Sequence, residues 1–115
     1  MQRVTLTGRL TRDPELRELT NGGSVCKLRL AVDDMAPGHQ TGYINVSTFG
    51  KPAEAAARIL HTGWLVAVDG RLEYREWQQD GNTRHDYELI GTVEFLAAPR
   101  TNNAVNADQT VRAAA

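Results

Sequence analysis

Alternation of apolar and polar residues divides the chain into short strands. In VTLTGRL (4–10), Val4, Leu6 and Leu10 share one parity, and Thr5, Thr7 and Arg9 share the other. That period of two marks a strand with one buried face. TRDPELRELTNGGS reads as a loop, because Asp13-Pro14 and Asn21-Gly22-Gly23 interrupt regular structure. VCKLRLAV (25–32) alternates again, with Cys26, Leu28, Leu30 and Val32 opposite Val25, Lys27, Arg29 and Ala31. DDMAPGHQTG is a second expected loop, and YINVSTFG (43–50) a third strand.

The period then changes. KPAEAAARILHTG carries Pro52 at the expected first helical position and Gly63 where a left-handed cap would end the helix. Ala53, Ala56, Ala57 and Leu60 share one helical face, joined by Ile59. WLVAVDGRLEYREW (64–77) returns to alternation, QDGN turns the chain, and TRHDYELIGTVEFL predicts a fifth strand with a short sixth behind it. The order β-β-β-α-β-β, with one helix between strands 3 and 4, predicts an all-β fold: the five-stranded OB-fold barrel. Residues 1–97 form the expected domain. The remainder, 98–115, is small, polar and aperiodic, and predicts a flexible tail.

Parity also assigns faces. In 64–77, Val66, Val68, Leu72 and Tyr74 make the apolar, core-facing set. Leu65, Ala67, Asp69, Arg71, Glu73, Arg75 and Trp77 face the other way, so Trp77 is expected on an outer, polar face. The third strand repeats the anomaly: Tyr43, Asn45, Ser47 and Phe49 lie opposite Ile44, Val46 and Thr48. A small barrel has one interior, so these outward sets can share a surface. It would carry Tyr43, Phe49 and Trp77 among Arg9, Lys27, Arg29, Arg71 and Arg75, with Arg84 beyond the turn. Aromatic rings alternating with cations suit single-stranded nucleic acid, whose bases stack while its phosphates attract charge. Glu73 and Glu76 oppose phosphate locally. Exposed strand aromatics also serve as subunit or partner interfaces.

Composition narrows the choice. The 115 residues are 41% hydrophobic and 23% charged, which suits a globular chain able to bury a core. No apolar run reaches membrane-spanning length, and the N-terminus lacks a signal-peptide block. The net charge of −1 excludes binding by a strongly basic body and leaves only a local basic patch. Eleven of the thirteen basic residues are Arg, which both stacks and forks onto phosphate. Cys26 is alone, so no internal disulfide forms and a reducing, cytoplasmic location is expected.

Three stretches carry a resemblance: VTLTGRLTRDPELRELTNGGSVCKLRLAV, YINVSTFGKPAEAAARIL and GRLEYREWQQDGNTRHDYELI. The DPE-x-R loop, the N-G-G turn, the FGK-x-AE junction and the G-R-L…W-x-x-x-G hairpin resemble those of bacterial-type single-stranded DNA-binding proteins, in order across most of residues 4–90. The resemblance implies an OB-fold that binds single-stranded DNA with little sequence preference. It also implies a homotetramer that protects the strand in replication, recombination and repair, associated with the nucleoid. Family stacking positions fall on Phe49 and Trp77, and Tyr43 stands where the family often has Trp. Lys51 matches the basic residue after Phe-Gly. The family's further stacking tryptophan has no counterpart in DDMAPGHQTG, which offers Met35 and His39. The sequence ends ADQTVRAAA, whereas the family commonly closes on an acidic tip with Pro-Phe that recruits partner enzymes, so recruitment by that route is not expected.

Two other functions fit an OB-fold. One is a protein-interaction or primosome-type accessory module; the other is a nuclease, which needs clustered carboxylates and a metal. No catalytic, metal-binding or cofactor-binding residue is assigned. Asp33-Asp34 reads as a solvated strand end without a spaced His or Glu partner. His39, His61 and His85 are scattered, and His61 suits a helix C-terminus. Ser24 and Ser47 have no base nearby in sequence. Cys26 has core parity, which predicts an inert thiol. Gly22-Gly23 precedes a strand, so it is no phosphate loop. Trp64 is expected to pack against the helix end.

Overall fold

Five of the strands close into one barrel because each buries a single apolar parity. The computed structural model describes residues 1–32 and 41–99. Its elements are β1 (Val4–Leu10), β2 (Glu15–Glu18), β3 (Ser24–Val32), β4 (Gly42–Phe49), α1 (Lys51–Ile59), β5 (Leu65–Gln79) and β6 (Asn82–Ala97). The sheet order is β1-β5-β6-β4-β3-β2, and an additional β1–β3 pairing, Arg9 opposite Ala31 and Leu10 opposite Leu30, closes the ring. β1, β3, β4, β5 and β6 therefore form the expected five-stranded barrel. Inside it, Leu28, Leu30, Val46, Val66, Val68 and Leu89 are fully buried, each contributing about 1.5–3 kcal/mol by leaving water.

Two loop and strand expectations are corrected. The stretch after β1 is not all loop: Glu15–Glu18 adds a strand to β3, Glu15 opposite Lys27 and Glu18 opposite Ser24. Its four residues are all exposed, so it has no buried face to leave a periodic signal. The predicted fifth and sixth strands are one continuous strand, β6. The loop expected at DDMAPGHQTG lies almost wholly outside the described residues, as do Asp33, Asp34, Met35 and His39 and the tail beyond Pro99.

The helix begins as predicted and ends earlier. Gly50, at φ 77°, precedes it and Pro52 occupies its first turn. Glu54 in the first turn and Arg58 in the last complement the helix dipole. Ala53, Ala56 and Leu60 join the barrel core, but Ile59 is exposed rather than part of that face. The helix stops at Ile59 with Leu60 extended; Gly63, at φ 95°, serves a turn farther on. Trp64 packs edge-on to His61, just past the helix, and to Phe95 of β6.

β5 and β6 are much longer than the barrel needs. β1 pairs with β5 only as far as Gly70, and β4 pairs with β6 only at Glu88–Ile90. The rest, to the Gln79–Asn82 turn, pairs only with itself and forms a two-stranded arm. Asp80 and Gly81 both have positive φ, 53° and 80°, as a two-residue hairpin turn requires. Tyr74 has core parity but sits on this arm, so it is exposed and not in the core as expected.

A close backbone approach precedes the arm. Gly70 and Gly91 are directly opposite; a Cβ on Gly70 would lie 2.1 Å from the Ile90 carbonyl oxygen, and one on Gly91 2.2 Å from that of Asp69. Gly91→Ala should therefore force the strands apart and destabilise the fold by about 1–3 kcal/mol. Urea unfolding measures this, and an unchanged midpoint would mean that the strands separate there at no cost.

Candidate nucleic-acid interface

Ladder register carries the predicted outer residues onto one continuous surface. Across β1, β3 and β4 one row reads Arg9, Ala31, Tyr43. Across β3, β4, β6 and β5 the next reads Arg29, Asn45, Glu88, Glu73, and the next Lys27, Ser47, Ile90, Arg71. The last joins Arg17, Val25 and Phe49. On the arm the same face continues with Arg75 opposite Asp86 and Trp77 opposite Arg84. Tyr43, Phe49 and Trp77 are 58%, 46% and 43% exposed, although a buried position would suit each ring. Phe49 and Tyr43 are six residues apart on β4, about 20 Å at strand rise.

Between the rings runs a paired polar network. Lys27 Nζ and Ser47 Oγ both donate to Glu88 Oε2, the lysine at 3.1 Å. Arg75 Nη2 lies 3.5 Å from Asp86 Oδ2 and 3.9 Å from Glu88 Oε1. Arg29 Nη1 donates to Asn45 Oδ1 at 2.9 Å, and its guanidinium lies 5.4 Å from the centre of the Tyr43 ring, within cation–π range. Asn45 Nδ2 in turn donates to Asp86 Oδ2 at 3.5 Å. These contacts hold Lys27, Arg29 and Arg75 beside the rings without any of them being buried.

Other predicted residues differ in setting. Arg71 pairs with Glu73, so its charge is already partly satisfied. Arg9 donates to the Gly63 carbonyl at 3.0 Å, which anchors it at the border of the face. Lys51 begins α1, just past Phe49, and neither it nor Arg84 forms an ion pair with any described residue. Val25 and Ser47 have outward parity yet are buried. Arg12, in the loop before β2, and Arg17, on β2 itself, line a cleft of about 200 Å³ with Lys27, Arg75 and Glu88, and no periodicity in the sequence marks either of them.

Electrostatics do not single out a catalytic group. Cys26 is fully buried, and desolvation pushes its thiol upward. Among the described residues no three His, Cys, Asp or Glu side chains are grouped as a metal site would require. Glu88 is the buried acid. Burial pushes its carboxyl up, but hydrogen bonds from Ser47 and Lys27 and the charges of Lys27 and Arg75 outweigh this, leaving it below the ordinary 4.5. A lowered carboxyl contributes stability that is complete above the unfolded value and is lost as pH falls through the folded one. Glu88→Gln should therefore remove part of the destabilisation expected as pH falls below the ordinary carboxyl value of 4.5. Urea midpoints across that range test it, and parallel curves for the two proteins would assign the loss to other carboxylates.

Comparison with known proteins follows the geometry. The profile of the single-strand binding protein family, SSB, matches residues 1–96. A single-stranded DNA-binding protein from Oceanobacillus iheyensis is 37% identical over 102 residues, covering 84% of this chain and 63% of that protein. Single-stranded DNA-binding protein 1 from Clostridium acetobutylicum is 35% identical over 103 residues, covering 84% of this chain and 94% of the relative. The chain thus spans less than two thirds of one relative and nearly all of the other. Among solved structures, the Plasmodium falciparum SSB complex with ssDNA superposes with a TM-score of 0.78 at 21% identity, covering 84% of this chain and 96% of that one, a likeness of fold. On the match over residues 1–96, and on relatives more than a third identical across most of its length, the chain belongs to the single-strand binding protein family.

Proposed function

We propose that this protein binds single-stranded DNA with little sequence preference and without catalysis. The observation that carries this is the single outer surface on which exposed Tyr43, Phe49 and Trp77 alternate with Lys27, Arg29 and Arg75. Family membership and the names of both relatives support it. Bases stack on the three rings, each worth about 1–3 kcal/mol, and Arg or Lys side chains hold the phosphates. Arg9, Lys51, Arg71 and Arg84 extend the cationic track at its borders, and Arg12 and Arg17 add to it from beside β2.

The absence of base-edge readout follows from the chemistry of the surface, since every base offers a π-face. Among the described residues no helix is long and apolar enough to cross a membrane. We place the activity in the cytoplasm, at the nucleoid, protecting DNA during replication, recombination and repair. Assembly as a homotetramer belongs to the same proposal.

Titration with oligo-dT, followed by tryptophan fluorescence, is the direct test. Quenching and salt-dependent binding are expected, and their absence would refute the proposal. Trp77→Ala should cost about 1–3 kcal/mol of binding. If that variant instead dissociates an oligomer while keeping its DNA affinity, Trp77 is an interface residue. Arg75→Ala should weaken binding across all sequences and lower the slope of log K against log salt by up to about 1.

A further inference from the structure

The arm has a second face that the surface above does not use. Tyr74 and Tyr87 are opposite each other in the β5–β6 register, as are Glu76 and His85. They share parity with Leu72 and Leu89, which pack in or against the core. Past the β4 contact no third strand among the described residues pairs with the arm, and Tyr74 and Tyr87 are 49% and 51% exposed. Their ring centres are 5.0 Å apart, and the His85 ring lies 5.9 Å from Tyr74. Three adjoining rings at a solvent-facing position make a stacking platform, and nothing in the barrel explains them.

The platform joins the first surface through a groove. β4 and β6 pair in parallel only from Asn45–Glu88 onward, so their preceding residues part. Arg29, Tyr43 and Asn45 line one side of the gap, and His85, Asp86 and Tyr87 the other. Tyr43 and Tyr87 thus line the same groove from different strands. We propose that this groove and the Tyr74–Tyr87–His85 cluster behind it form a second base-stacking site, which takes single-stranded DNA onward from Tyr43 to the reverse face of the arm.

Two features favour a nucleic-acid strand over a second protein copy. The groove walls are polar at Arg29, Asn45, His85 and Asp86, with Ile44 as the one aliphatic lining residue, whereas the core of a protein interface is depleted of charge. The groove is also continuous with Tyr43 and its cation–π partner Arg29. Asp86 sets the orientation: its carboxylate repels phosphate, so bases enter toward the rings and the backbone stays at the rim beside Arg29.

This second site rests on the DNA-binding reading above, and the two fail in different ways. Full-length Tyr87→Ala and Tyr74→Ala are titrated with oligo-dT of about 8 and about 30 nucleotides, a range that brackets the span of one OB-fold. Both variants should bind the short oligomer as the unaltered protein does, lose about tenfold affinity for the long one, and occupy fewer nucleotides per protomer at saturation. Tyr87→Phe, which keeps the ring, should restore the long-oligomer affinity. Trp77→Ala should lose affinity for both lengths. Unchanged affinity and site size in Tyr87→Ala would overturn the second site alone, as would a change in its mass in solution, which would mark a subunit interface. Failure of the unaltered protein to bind either oligomer would overturn both proposals.

Discussion

The backbone contact between Gly70 and Gly91 is the constraint on which the rest of the molecule depends. Two strands cannot approach so closely with side chains between them, and here neither residue has one. β1 pairs with β5 up to this point, and β4 pairs with β6 just beyond it, at Glu88–Ile90. Farther out the two strands leave the barrel as a free ribbon that carries Trp77, Arg84, Tyr74 and Tyr87. A single hairpin therefore builds the core and projects the groups proposed to bind DNA.

The outer face holds its cations in reserve. Lys27 and Arg75 are paired with Glu88 and Asp86, and Arg29 is tied to Asn45. Of these contacts, Arg75–Asp86 is open to solvent and adds little stability of its own, whereas Lys27 meets a buried Glu88 carboxylate. The contacts restrict the side chains to the neighbourhood of the rings, which lowers the ordering cost when a strand arrives. They also reconcile a net charge of −1 with an anionic ligand. The positive charge is local, and in the proposed binding phosphate would take the place of the acids beneath it.

Much of this was readable from alternation. Val66, Val68, Leu28, Leu30 and Val46 lie inside as their parity requires, and Tyr43, Phe49 and Trp77 lie outside with Lys27, Arg29 and Arg75. The same rule failed for Tyr74, Val25 and Ser47. Parity gives the side of a strand on which a residue lies, but burial depends on what covers that side. Tyr74 has core parity where nothing covers it. Ser47 has outward parity beneath Glu88, to which it donates a hydrogen bond. β2 left no trace, because a strand exposed on both faces has no pattern of its own.

The sequence alone determined the barrel's strand faces, the site of the helix and the outward direction of three aromatic rings. Those properties are local, set by a period of two or 3.6 and by Pro and Gly at particular positions. Only the tertiary structure decided where the barrel ends and the arm begins, which acid meets which cation, and that Tyr43 and Tyr87 line one groove. Each of these depends on residues tens of positions apart, such as Lys27 with Glu88 or Gly70 with Gly91, meeting through strand register. Register is a property of closure, and no single segment contains it.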